Sequence, residues 1–201
     1  TSGSILSPSS QNSVVGLKPT VGLLSRTGIV PISSTLDTPG PMTKNVTDNA
    51  ILLDAMMGKD PKDAKSVESE PGILSAWMHP EPLKEVRLGV MKNLMERDSI
   101  YALAVQKLKD AGAQLIEFEP ENVQLDNFTT LLNLDMKKDL KAYLDAEVKN
   151  KDVVKLEAVE DVVKFNSQDS LVRIPYGQAR FDGILADSTT QDEFEKAKKK
   201  I

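Results

Sequence analysis

Two short apolar runs flank an amphipathic segment, and this arrangement restricts the possible folds more than any other feature of the chain. The runs are EVRLGVM at 85–91 and AQLIEFE at 113–119, and both have the composition typical of strands. Between them, residues 98–111 predict a helix ended by Gly112, with an apolar stripe of Ile100, Leu103, Ala104, Leu108 and Ala111. A strand, a helix and a strand with short connections predict a parallel pair with a right-handed crossover.

Four other segments predict helices that would flank such a sheet. From Thr43 to Gly58, apolar residues recur at helical spacing, Asp48 suits the first turn, and Gly58 is a stop signal. Further helices are expected within 126–148, at 157–165 and at 190–200; the first carries Leu131, Leu134, Leu140 and Leu144. We therefore expect an α/β fold with a mixed β-sheet flanked by helices.

The domain organisation follows from where the composition changes. We expect one partial domain over 1–201, made of residues 1–58, a polar linker at 59–84 and an α/β continuation at 85–201. Residues 1–42 are rich in Gly, Pro, Ser and Thr, and their prolines exclude long helices. Brief strands are expected at 14–17 and 28–32, and the opening TSGSILSPSS predicts a tight turn.

The composition and net charge of the chain argue against several classes of function. The net charge of −5 does not suit a nucleic-acid-binding protein, and no apolar run has the roughly 20 residues that a membrane span needs. The chain has no cysteine, which excludes thiolate chemistry and fits a cytoplasmic location. The single histidine, His79, lies in a proline-flanked loop, and no ligand spacing predicts a metal site.

Several short motifs succeed one another in the first 58 residues. TSGSI is followed by GLKPT, SRTG, STLD and a Gly-Pro pair that leads into a helix with an early aspartate. This succession resembles the amidase signature family, whose pattern has these motifs in this order. The resemblance continues more loosely through VRLGVM and VVKFNSQDSLVRIPYGQ, so it covers most of the chain.

The resemblance implies hydrolysis of a carboxamide by a serine nucleophile, with no cofactor. In the family, a second serine held by a cis peptide and a lysine behind it handle the proton, and backbone N–H groups bind the oxyanion. Ser4 matches the nucleophile, and Thr1, Ser2 and Gly3 match the oxyanion turn. Each preorganised donor of this kind lowers such a barrier by about 3 to 4 kcal/mol.

The residues that would serve as the base are not in this chain. In the family they precede the nucleophile, and only three residues precede Ser4. We therefore expect the chain to be the middle of an amidase, inactive by itself. Lys18 matches a family lysine that is not catalytic.

Other residues matched by the resemblance are assigned supporting roles. Asp37 is expected to hold its loop through hydrogen bonds, and Arg26 to anchor the same region electrostatically. Tyr176 and Gln178 are expected to line the substrate pocket.

Two departures from the motif leave the subgroup open. Ser2 stands where many members have glycine, and Leu6 stands where many have arginine. The alternatives are the A subunit of glutamyl-tRNA amidotransferase and a non-catalytic interaction module that retains the scaffold. The expected partner is a small-molecule amide, with neither nucleic acid nor membrane. Unpaired sheet edges would also allow a homodimer or a segment swap.

Overall fold

The structure is a computed structural model that describes residues 2–70, 72–76, 83–121 and 127–198. The chain divides into two compact units. One consists of Thr1–Trp77 together with Leu125–Ile201, and the other is Met78–Gln124. The second unit is therefore an insertion in the sequence of the first.

The first part of the larger unit contains three helices and a short antiparallel ladder. Its elements are α1 (Ser2–Gln11), β1 (Val15–Gly16), β2 (Met42–Thr43), α2 (Val46–Met56) and α3 (Ile73–Ala76). Val15 pairs with Thr43 across the ladder. The helix predicted after Thr43 is confirmed as α2, and the Asn45 side chain caps it by accepting the Asp48 N–H at 2.8 Å.

The smaller unit confirms the predicted parallel strand pair. It consists of β3 (Arg87–Met91), α4 (Lys92–Arg97), α5 (Ser99–Asp110) and β4 (Gln114–Phe118). β3 and β4 run parallel, with Leu88 opposite Leu115. Gly112, at φ +99°, follows α5 in the left-handed conformation that the sequence predicts for a helix stop.

The second part of the larger unit is helical. It contains α6 (Phe128–Glu147), α7 (Val159–Ser167), α8 (Ser170–Arg173), α9 (Ala179–Ala186) and α10 (Gln191–Lys198). One face of α6 packs with α7 and α9 to form the core, which consists of Met136, Leu140, Leu144, Val159 and Ile184. Three of the four leucines predicted for this helix, Leu131, Leu140 and Leu144, are buried.

Three details differ from the sequence expectations. The first ten residues are mostly helix rather than turn, because Ile5 and Ser9, one helical turn apart, give α1 a buried face. Residues 28–32 form no strand. In α5, Ile100 and Leu103 remain 79% and 58% exposed while Val105 is buried. The helix instead faces β3 with Tyr101, whose hydroxyl oxygen accepts the Met91 N–H at 3.0 Å.

Candidate active site

Ser4 lies in the first turn of α1 and is exposed to solvent. The first N–H groups of a helix have no acceptor within the helix, so they are free to bind an anion. Gly3 is exposed beside it, and a Cβ built there would meet nothing within 4 Å. Pro8 lies inside the same helix and has no N–H, so the ladder bond that would run from residue 8 to the Ser4 carbonyl is missing. The backbone around Ser4 is thus open to solvent.

Two glycines fix the position of α1. A Cβ at Gly16 would lie 2.2 Å from Ser9 Oγ, and one at Gly40 would lie 2.8 Å from Ile5 Cδ1. Ser9 in turn donates its hydroxyl to the Ile5 carbonyl at 2.7 Å. Because only glycine permits this approach, the inner face of α1 contacts backbone directly, and the exposed Ser4 is carried by a tightly packed helix.

The loop formed by residues 25–38, called here the 25–38 loop, is held by an ion pair with Asp63. Arg26 donates to both carboxylate oxygens of Asp63, with Nε 2.8 Å from Oδ2, and its Nη1 donates to the Ser34 carbonyl at 2.6 Å. The hydrogen bond from Arg26 holds the pKa of Asp63 well below its usual value, and the same bond raises the pKa of Arg26. The expectation that Arg26 anchors this region is confirmed.

Further aspartates also hold the same loop. Asp37 accepts the N–H groups of Ile32 and Ser33 at 2.7 and 2.8 Å, which confirms its expected role. From α6, Asp135 accepts the Ser33 hydroxyl at 2.5 Å, and Asp139 accepts the Ser34 N–H at 2.5 Å.

Sequence reasoning missed Asp135 and Asp139. A signal was present, because they follow the buried Leu131 by four and eight residues and so lie on the apolar face of α6.

Two cavities adjoin the 25–38 loop. The larger, of about 790 Å³, is lined by this loop, by residues 62–64 and by the side of α6 that carries Asp139 and Tyr143. The smaller, of about 270 Å³, is bordered by Ile5 of α1 and by the loop residues Ile29, Val30 and Ile32. The smaller cavity is therefore lined by the residue that follows Ser4 in the chain.

Several residues selected from the sequence lie away from these cavities. Tyr176 is fully exposed, and Gln178 bonds to Asn166 and Ser167 at 3.3 Å each, so neither lines the two cavities just described. The Lys18 ammonium donates to the Pro19 carbonyl at 2.8 Å, in keeping with a structural role. Thr1 and His79 lie outside the described residues, and of Ser2 only the backbone is described.

Membrane-spanning helices and metal clusters are both absent from the described residues. None of the helices in that part of the chain is both long enough and apolar enough to cross a membrane. The described Asp and Glu residues also form no group of three or more that could hold a metal ion.

Comparison with known proteins gives a consistent family. A probable amidase of Arabidopsis thaliana is 36% identical over 183 residues, covering 84% of this chain and 34% of that protein. The A subunit of a glutamyl-tRNA(Gln) amidotransferase from Caldanaerobacter subterraneus is 39% identical over 130 residues, covering 62% of this chain and 26% of that protein.

A solved structure agrees with these relatives. The native peptide amidase of Stenotrophomonas maltophilia superposes with a TM-score of 0.83 at 31% identity, covering 97% of this chain and 41% of that chain. The α/β fold is thus the amidase signature fold, and this chain spans well under half the length of each relative. The amidase family model matches residues 1–198, and the chain therefore belongs to the amidase family.

Proposed function

We propose that this chain carries the nucleophile of an amidase that hydrolyses carboxamides through an acyl-enzyme on Ser4. The observation that carries the proposal is the position of Ser4. The family match includes the TSGSI motif, and Ser4, the second serine of that motif, is exposed in the first turn of α1. A serine at that position can be reached by a substrate while the rest of the helix stays packed.

The proposed reaction begins when Ser4 Oγ attacks the carbonyl carbon. The hydroxyl proton passes to a base, and the carbonyl π-electrons move to oxygen to form the oxyanion. The N–H groups of Gly3 and Ser4, with those of Thr1 and Ser2, would bind this oxyanion. Collapse of the intermediate breaks the C–N bond, and the departing nitrogen takes a proton and leaves as ammonia or an amine. Water then hydrolyses the ester and regenerates the Ser4 hydroxyl.

The proposal also covers the origin of the base that accepts the hydroxyl proton of Ser4. The serine–lysine pair that the resemblance implies would come from amidase-domain polypeptide outside residues 1–201, since Lys18 is engaged with the Pro19 carbonyl. The 201-residue chain should therefore have little activity alone. We also propose a cytoplasmic location, which suits a chain without cysteine.

The substrate is proposed to be a small amide. The peptide amidase named above superposes on nearly the whole of this chain, which favours peptide amides. Tyr176 and Gln178 remain proposed substrate contacts, although Tyr176 projects into solvent and Gln178 is occupied by its neighbours. A substrate could contact Tyr176 only if the substrate extended outside the two cavities.

The test uses a chimera in which residues 1–201 replace the matching segment of the S. maltophilia peptide amidase. A fluorophosphonate should label the chimera on Ser4, and Ser4→Ala should abolish the labelling. Ser7→Ala, a neighbouring exposed serine of α1, is the matched control and should label like the parent chimera. Equal labelling of Ser4→Ala and the parent would refute the assignment, with peptide mapping identifying the labelled residue.

A second candidate function is transamidation. The identity of 39% to the A subunit of an amidotransferase favours it, although that match covers 62% of this chain. It predicts that the intact protein copurifies with other subunits and releases ammonia from glutamine. Hydrolysis of peptide amides without glutamine, by protein purified as a single polypeptide, would favour the amidase instead.

A further inference from the structure

Helix α2 has an apolar patch on the side that faces solvent, beyond the exposed Thr47 and Asp48 of its first turn. Ile51, Leu52, Ala55 and Met56, called here the outer face of α2, are all exposed, and Ile51 is 52% exposed. A helix on the surface of a globular protein normally has polar residues on its outer side. Exposed apolar groups that share one face, by contrast, are typical of a surface covered by another polypeptide.

The inner face of α2 is held in place by polar contacts. Asn49, 2% exposed, donates from Nδ2 to the Val15 carbonyl at 3.1 Å and to the Pro41 carbonyl at 3.3 Å. Asp54, 6% exposed, accepts the N–H groups of Leu74 and Ser75 at 3.2 and 2.7 Å.

These contacts exclude a rotation of the helix about its axis. Turning α2 to bury Ile51 would break the hydrogen bonds of Asn49 and Asp54 and expose Leu53, which is 3% exposed. Because buried polar groups are costly to leave unpaired, the present orientation is fixed. The outer face of α2 can be covered only by polypeptide that packs onto it.

The similarity to the solved peptide amidase indicates which polypeptide covers this face. The chain superposes over 97% of its own length on the peptide amidase but accounts for only 41% of that protein. More than half of that amidase chain therefore has no counterpart here. We propose that amidase-domain polypeptide from outside residues 1–201 packs on the outer face of α2. This inference rests on family membership and does not require Ser4 to be the nucleophile.

The absence of cysteine from the chain allows a direct test. Ile51→Cys introduces one thiol on the outer face of α2, and the alkylation rate of that thiol reports whether the face is covered. The rate is measured in the 201-residue chain and in the peptide amidase chimera, with peptide mapping to assign the modified residue. Lys164→Cys, at a side chain that is 76% exposed, is the matched control.

The expected result for Ile51→Cys is fast alkylation in the 201-residue chain and a rate at least about tenfold slower in the folded chimera. The thiol of Lys164→Cys should react at similar rates in both proteins. Equal rates for Ile51→Cys in the two proteins would overturn the proposal. A rate for this variant that falls in the 201-residue chain as protein concentration rises would also overturn it, because a second copy would then be the occupant.

Leu52→Glu provides an independent measurement. In the 201-residue chain it should change the midpoint of thermal unfolding less than in the chimera, because Leu52 is 39% exposed there. In the chimera it should lower the midpoint or the yield of soluble protein, whereas Lys164→Glu should not. Destabilisation of the 201-residue chain by Leu52→Glu as large as that of the chimera would mean that the face is already packed within this chain, and the proposal would fail.

Discussion

At the scale of single residues, Gly16 is a point where packing leaves no room for a side chain. An added Cβ would lie 2.2 Å from Ser9 Oγ and 2.7 Å from Ser9 Cβ. Ser9 is buried and bonded to the Ile5 carbonyl, so it cannot move aside without losing that bond. Gly16→Ala should therefore lower the free energy of unfolding by about 1 to 3 kcal/mol, measured by urea denaturation followed by circular dichroism.

Gly183→Ala is the control for this prediction. Gly183 lies within α9, and a Cβ there would meet nothing within 4 Å. Replacing it should raise stability by about 0.5 to 1 kcal/mol, because alanine loses less conformational entropy in a helix. A loss of stability in both variants would indicate that the contact with Ser9 is not the cause at Gly16.

At the scale of elements, a buried hydrogen bond between two side chains helps to join the 25–38 loop to α6. Ser33 is fully buried and donates to Asp135, which is 2% exposed. Removing one partner leaves the other buried without this hydrogen bond, so Ser33→Ala and Asp135→Ala should not have additive effects. A double-mutant cycle should give a coupling energy of about 1 to 3 kcal/mol.

The matched control cycle uses Lys141 and Asp145, an ion pair on the same helix. Their side chains are 58% and 47% exposed. Solvent screening should make the coupling of this exposed pair much weaker than that of the buried one. A Ser33–Asp135 coupling no larger than the coupling of Lys141 with Asp145 would show that this hydrogen bond contributes little to holding the loop on α6.

The elements also show what can be predicted from the sequence. Helices α2, α5 and α6 and the β3–β4 pair were predictable, because long periodic patterns and Gly stops identify them locally. The sequence reasoning missed α1, whose Gly, Ser and Pro content favours a turn, and α9, which follows a Pro-Tyr-Gly turn signal.

Some residues of the candidate site could likewise be predicted from the sequence, and others could not. Arg26 and Asp37 were identified through motifs, and Asp37 acts on residues only four and five positions away. Asp135 and Asp139 act on residues 102 and 105 positions away. No local pattern could have paired them with the loop, since the pairing depends on how α6 packs.

At the scale of the whole molecule, carboxylates make both local contacts and contacts between distant segments, such as that of Asp63 with Arg26. Hydrogen bonds to their charged forms lower the pKa values of several acidic residues, among them Asp54, Asp60, Asp63, Asp145 and Glu193. A lowered pKa in the folded state means that the unfolded chain binds more protons. These groups therefore stabilise the fold above the ordinary pKa of a carboxylate, and their contribution is lost as the pH falls through their folded values.

The sharpest test of this pH dependence is Asp63→Asn. The pKa of Asp63 lies well below the ordinary aspartate value of 3.8 because this carboxylate is paired with Arg26, so the substitution should cost about 1.5 to 3 kcal/mol at neutral pH. The difference from wild type should stay constant down to about pH 4 and shrink below it, since Asp63 in the unfolded chain then takes up a proton. Asp145→Asn, at an exposed pair, should give a smaller difference throughout. Urea denaturation between about pH 7 and 3 measures both, and a difference that grows towards acid would contradict the charged Arg26–Asp63 pair as its source.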